Sequence, residues 1–190
     1  MVEDTWSGLV AAHKRTRPTS AAPVTEHAPK AAILACSDAR VPPSVIFDQP
    51  AGSLFVIRLA GNTATPEALA SLDYAVEHLG VKLVIVLGHS GCGAVQAAAA
   101  GTCGGHLAPI VAPICAIARA NPDASADQLV ELNVGQAVQS VIRHDGPAGQ
   151  GARSGTIDVQ GAVHDLSTGS LVPLADILDP ISTHTLLETQ

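Results

Sequence analysis

Three short runs of aliphatic residues, each followed by a polar or glycine-rich stretch, constrain the fold of this chain more than any other feature. Together with the stretches that follow them, the runs read AAILACS, SLFVIRLAGN and VKLVIVLGHSGCGA. Continuous Val, Ile and Leu over such short lengths is typical of strands in a parallel sheet that is covered on both faces. We therefore expect an α/β fold: a mostly parallel central sheet of about four core strands plus an edge strand, with helices on both faces.

The segment TPEALASLDYAVEHLG, between the second and third runs, predicts the crossover helix that two parallel strands require. Thr65 fits the N-cap, Pro66 the first helical position and Gly80 the end of the helix. Apolar residues recur along it every three or four positions and give the helix one apolar face: Leu69, Leu72, Val76 and Leu79.

A later helix is predicted to begin near Ser125, because Ser125 and Gln128 have the spacing of a capping box. Its buried face is expected to consist of valines: Val130, Val134, Val138 and Val141. The segment HDGPAGQGARSG that follows is expected to form turns, and TIDVQGAV is expected to form a last strand.

Two regions differ in composition. Residues 1–30 are predicted to be an N-terminal helical arm, in which an amphipathic stretch from Thr5 to Lys14 precedes a proline-rich linker. Residues 31–190 are predicted to form a single α/β domain that carries the functional site.

Composition excludes several classes of function. With 190 residues, 47% of them hydrophobic and only 14% charged, the chain has the composition of a folded domain rather than a disordered one. Its formal net charge of −7 argues against a nucleic-acid partner, which would need a basic stripe. There is no run of 18 apolar residues for a membrane span and no pattern of a secretory signal, so we expect a cytoplasmic protein. Four cysteines are too few for a disulfide scaffold, and Cys103 and Cys115 are expected to be inert thiols.

Metal-ligating side chains follow two of the three runs. Cys36 directly follows the aliphatic residues of the first run, and His89 and Cys92 follow those of the third. His89 and Cys92 are expected to lie at the start of a helix and on one side of it. The carboxyl ends of parallel strands meet at one edge of a sheet, so the three side chains can be neighbours. Two thiolates and one imidazole are a ligand set that suits zinc.

The fourth ligand position decides what such a zinc ion does. Three protein ligands leave one tetrahedral position open, as in catalytic sites. The Asp38 carboxylate could fill that position, or Arg40 could hold Asp38 in a forked ion pair away from the metal. The residues alone therefore leave a catalytic site and a closed structural site both open.

The motifs Cys36-x-Asp38-x-Arg40 and His89-x-x-Cys92 resemble those of the β-class carbonic anhydrases. The surrounding segments ACSDARVPPSVIFDQPAGSLFVIRLAGN, SLDYAVEHLGV and VLGHSGCGAV are similar to that family as well. The resemblance implies Cys36, His89 and Cys92 as zinc ligands, with Asp38 joining them only in a closed state. It also implies a homodimer or a dimer of dimers, in which the N-terminal arm embraces a second subunit.

The activity that the resemblance implies is the zinc-dependent, reversible hydration of CO₂ to bicarbonate and a proton. Zinc-bound hydroxide would be the nucleophile, the Asp38–Arg40 dyad would orient it and gate the metal, and Gln49 would help to bind substrate. One alternative is a hydrolase of a CO₂ analogue, carbonyl sulfide or carbon disulfide, on the same scaffold. Another is a non-catalytic structural zinc module, which would bind zinc without activity.

Overall fold

The computed structural model describes residues 2–15 and 27–177. Within them a five-stranded sheet has the order β2-β1-β3-β4-β5. The strands are β1 (Ala31–Ala35), β2 (Leu54–Arg58), β3 (Leu83–His89), β4 (Asp158–His164) and β5 (Leu171–Pro173). Neighbours among the first four strands are parallel, and β5 is an antiparallel edge strand beside β4. The predicted fold class is confirmed.

Helices follow the strands along the chain and cover the sheet. They are α1 (Val2–Arg15), α2 (Pro43–Ile46), α3 (Pro66–Leu79), α4 (Gly93–Ala99), α5 (Ala108–Ala120), α6 (Ala126–Arg143), α7 (Pro147–Ser154) and α8 (Leu174–Ile177), with 3₁₀ turns at Ala60–Asn62 and Gly105–Leu107. No helix in the described part of the chain is long and apolar enough to cross a membrane.

The strand β1 lies at the centre of the hydrophobic core. All five of its residues are buried, which explains its continuous apolar sequence. Ala32 and Leu34 pack in the core that α3, α6 and α7 share with the sheet, while Ile33 points to the opposite face and packs near Ile46 and Phe47.

Helix α3 begins and ends where the sequence predicts, and helix α6 begins where it predicts. Thr65 caps α3 by accepting a hydrogen bond from the Ala68 N–H, and Gly80 ends it in the left-handed conformation. Ser125 and Gln128 form the predicted capping box of α6. The four predicted valines of α6 are buried, at 9% exposure or less. These signals are local, which is why the sequence alone reveals them.

The prediction of turns for HDGPAGQGARSG is wrong, because residues 147–154 form α7. The glycines there meet a packing demand: a Cβ on Gly149 would lie 2.0 Å from the His144 carbonyl oxygen. Asp73 of α3 fixes the start of the helix by accepting hydrogen bonds from the Ala148 N–H at 2.9 Å and from His144 Nε2 at 2.7 Å. The helix therefore depends on a contact across more than 70 residues, which local patterns do not show.

The N-terminal helix and the cysteines also differ from expectation. The helix α1 spans Val2–Arg15, slightly more than the predicted stretch. Cys103 and Cys115 form a disulfide, so the prediction of two inert thiols is wrong. Their pairing requires Cys115, in the middle of α5, to meet the loop before that helix, and α5 was not predicted.

Candidate metal centre at the carboxyl edge of the sheet

Cys36, His89 and Cys92 converge at the carboxyl edge of the sheet. Cys36 directly follows β1, His89 ends the neighbouring strand β3, and Cys92 is the N-cap residue of α4. One ligand atom from each residue lies within 4.8 Å of the other two. All three are buried, with 5%, 0% and 2% of their surface exposed. The expected convergence of these side chains is what the structure shows.

The local geometry of His89 and Cys92 differs from the prediction. The two residues do not lie on a helix, since His89 is still in β3 and Cys92 precedes the first turn of α4. A tight turn joins them, in which Gly91 has φ of +65°, a conformation that favours glycine. Ser90 anchors the turn, because its N–H donates to the His164 carbonyl at 3.0 Å and its hydroxyl accepts from the Leu166 N–H at 2.9 Å.

The imidazole of His89 presents a free lone pair to the two thiols. Its Nδ1 lies 2.9 Å from the Ser90 carbonyl oxygen, which can only accept, so Nδ1 carries the proton. The other nitrogen, Nε2, is buried and has no hydrogen-bond partner among the described residues. A buried nitrogen without a partner is costly, and a bound cation would satisfy it.

The thiols of Cys36 and Cys92 lie 4.0 Å apart and are not joined in a disulfide. The contact with the Cys92 thiol lowers the pKa of Cys36, against the effect of burial. The same contact, together with burial, raises the pKa of Cys92. Burial opposes protonation of His89, but its contact with Cys36 raises the His89 pKa overall.

These donors fit zinc. Two sulfurs and one imidazole nitrogen, all buried and within 4.8 Å of one another, are a donor set that suits zinc. Three protein ligands are one fewer than a closed structural zinc site has.

Asp38 and Arg40 form the predicted ion pair beside this cluster. The Arg40 guanidinium donates from Nε to Asp38 Oδ1 at 2.9 Å and from Nη2 to Oδ2 at 2.7 Å. The Arg40 backbone N–H also donates to Oδ1 at 2.9 Å. These bonds hold the pKa of Asp38 well below its usual range. Asp38 Oδ2 lies only 3.9 Å from Nε2 of His89, so the carboxylate faces the cluster while Arg40 holds it back.

Arg58 supports the backbone of the site, a contact that the sequence analysis did not predict. It ends the edge strand β2, and its Nε donates to the Cys36 carbonyl at 2.9 Å. Its Nη2 donates to the Asp38 carbonyl. The guanidinium thus ties together the backbone that carries both Cys36 and Asp38. The signal available in the sequence is a charged residue at the end of a strand, which is too common to be assigned without the fold.

Gln49 makes its described contacts elsewhere. Its Nε2 donates to the carbonyls of Phe47 and Asp48, both at 3.0 Å, and its Oε1 accepts from Lys30 at 3.3 Å. The described residues that bond to it do not include those of the cluster, so its role in binding substrate stays a prediction.

Comparison with known proteins gives a consistent result. A family model described as "Carbonic anhydrase" matches residues 31–171. Carbonic anhydrase 2 of Mycobacterium tuberculosis is 34% identical over 152 residues, which cover 76% of this chain and 73% of that protein. The carbonic anhydrase of Pseudomonas aeruginosa is 35% identical over 174 residues, which cover 83% of this chain and 77% of that protein.

Solved structures show the same similarity in three dimensions. A tetrameric β-carbonic anhydrase from Sordaria macrospora superposes with a TM-score of 0.73 at 25% identity, covering 91% of this chain and 93% of that one. The Coccomyxa β-carbonic anhydrase in complex with acetazolamide gives a TM-score of 0.71 at 28% identity, covering 91% of this chain and 83% of that one.

Proposed function

The chain belongs to the β-class carbonic anhydrase family, and we propose that it catalyses the reversible hydration of CO₂ to bicarbonate at a zinc ion bound by Cys36, His89 and Cys92. The observation that carries the proposal is the buried, unpartnered Nε2 of His89, which faces two free thiols. A buried imidazole nitrogen without a partner is costly, and the two free thiols beside this one make a bound cation the group that would satisfy all three.

Zinc, when bound, supplies a Lewis acid that acidifies a coordinated water and so makes a nucleophile available near neutral pH. The protein residues position the reactants. Asp38 is ionised, because Arg40 holds its pKa below the usual range, and an ionised carboxylate can only accept hydrogen bonds. It therefore orients the hydrogen of the nucleophile toward itself and the oxygen lone pair toward CO₂.

Asp38 also supplies the gate in this proposal. The same carboxylate lies beside His89 Nε2, so releasing it from Arg40 would let it occupy the fourth ligand position. The bidentate pair favours the state in which that position is free. This release mechanism favours an enzyme over a structural zinc module, because a structural site has no need to hold its fourth ligand away.

The direct test is to measure zinc content and stopped-flow CO₂ hydration of the purified chain at high pH, with the Cys36→Ser variant as control. We expect about one zinc per chain and hydration activity in the wild type, and loss of both in Cys36→Ser. Sulfide release from carbonyl sulfide and carbon disulfide is measured in parallel. Zinc with sulfide release but no CO₂ hydration would assign the alternative hydrolase, and zinc without activity at any pH would assign the structural module.

We also propose that the chain assembles as a homodimer or a dimer of dimers. Trp6 and Leu9 lie three residues apart on α1 and are exposed at 67% and 63%. Two large apolar side chains on one side of a helix fit an arm that packs against a second subunit. Sedimentation equilibrium would give the assembly size, and a monomer at micromolar concentration would contradict the proposal.

A further inference from the structure

The 3₁₀ turn Ala60–Asn62 brings a backbone amide to the sulfur of Cys36. The N–H of Gly61 donates to Cys36 Sγ at 3.3 Å. Gly61 is buried and has φ of +69°. A Cβ there would lie 2.7 Å from Ile114 Cδ1 and 3.1 Å from the Cβ of Ala94. Both the conformation and the space available therefore require glycine.

Beyond the backbone bond that closes the turn, from the Asn62 N–H to the Leu59 carbonyl, a buried side-chain group holds the Gly61 peptide. That group is Asn133, which lies 72 residues further along the chain in α6 and is only 4% exposed. Its Nδ2 donates to the Gly61 carbonyl oxygen at 2.8 Å. A side-chain amide buried in a helix is costly unless it is bonded, and this bond reaches across to the turn that holds the Cys36 sulfur.

We propose that Asn133 is a positioning residue of the metal centre: by fixing Gly61, it keeps the Gly61 N–H on the Cys36 sulfur. This inference rests on the proposed metal site. An N–H that bonds to a thiolate withdraws charge from the sulfur. Cys36 then donates less charge to a bound cation. The cation is therefore a stronger Lewis acid than it would be if the Cys36 thiolate accepted no hydrogen bond. Such hydrogen bonds outside the ligands orient and tune metal-binding side chains.

Cobalt substitution tests the inference without relying on activity. In the 190-residue chain loaded with Co²⁺, the sulfur-to-cobalt charge-transfer absorption reports how readily the thiolates give up electron density. Asn133→Leu keeps the approximate shape of the side chain and removes the donor. We expect its charge-transfer band to move to lower energy, because the Cys36 sulfur becomes more electron-rich. We expect its Co²⁺ dissociation constant to rise about 10-fold, because that sulfur is no longer held in place for the metal.

Val138→Ala is the matched control, because Val138 is buried in the same helix, does not bond to Gly61 and should lower the melting temperature by truncation alone. Its band should stay at the wild-type energy. Asn133→Ser, whose hydroxyl is too short to reach Gly61, repeats the test should the leucine variant not fold.

The outcomes separate the two proposals. An unshifted band in a folded Asn133 variant would overturn the positioning role, and so would an equal shift in Val138→Ala. A wild-type protein that binds no Co²⁺ and shows no charge-transfer band would instead overturn the metal site itself.

Discussion

Replacing Gly88 by alanine tests how closely α6 packs over the strand that ends in His89. A Cβ on Gly88 would lie 2.4 Å from Cγ2 of Val134 and 3.5 Å from Cγ1 of Val130. Carbon atoms in ordinary contact are about 3.5–4.0 Å apart, so the helix or the strand must move by roughly 1 Å. Overpacking of this kind costs about 1–3 kcal/mol. For a chain of this size, each kcal/mol lowers the melting temperature by about 2–4 °C.

The matched control is Gly93→Ala, since Gly93 is likewise adjacent to a proposed zinc ligand but a Cβ there would meet nothing within 4 Å. Alanine also has the higher helix propensity, by up to about 1 kcal/mol in a helix interior. Thermal unfolding followed by circular dichroism, with zinc analysis of each protein, gives the comparison. Gly88→Ala should melt below the wild type and retain less zinc, while Gly93→Ala should melt at or above it. If Gly88→Ala melted as high as Gly93→Ala, the described packing of α6 on β3 would be refuted.

Three further predictions concern the ion pair, the pH dependence of activity and the disulfide. Arg40→Ala should lower CO₂ hydration at pH 7 by about 100-fold through misplacement of Asp38, with zinc retained; activity equal to wild type would remove the dyad from the mechanism. Because Arg40 depresses the pKa of Asp38, that carboxyl stays ionised above its lowered pKa and does not titrate between pH 6 and 9. Wild-type activity that rises across this range would therefore report the water that zinc would bind, which competes better with Asp38 for the fourth ligand position once it is deprotonated, and a flat profile would count against the gate. The Cys103→Ser/Cys115→Ser double variant should lose about 3 kcal/mol of unfolding free energy in urea by opening a loop of this length, and an unchanged midpoint would contradict that role.

The parts of the fold that the sequence predicts are those with local signals. The aliphatic runs identify the parallel strands, because a strand buried on both faces needs apolar residues at every position, as in β1. The caps at Thr65 and Ser125 identify the starts of α3 and α6 through bonds that span three residues. The convergence of Cys36 with His89 follows from one topological rule about the ends of parallel strands.

The parts that the sequence does not predict depend on distant contacts. The helix α7 looks like a loop because its glycines serve close packing, and Asp73, which fixes it, is far away in the chain. Arg58 gains its role only when β2 lies beside β1 and its guanidinium reaches the Cys36 carbonyl. The bond from Asn133 to Gly61 likewise requires α6 to cross the 3₁₀ turn. Composition and spacing contain none of this information.

The central claim is that one metal ion is bound by two sulfurs and one imidazole nitrogen, with its fourth coordination position available to an oxygen ligand. X-ray absorption at the zinc edge of the purified protein measures this coordination directly. We expect two sulfur neighbours at about 2.3 Å and nitrogen or oxygen neighbours at about 2.0–2.2 Å. A zinc ion with no sulfur neighbours, or with only one, would contradict the assignment of Cys36 and Cys92 and the function that depends on it.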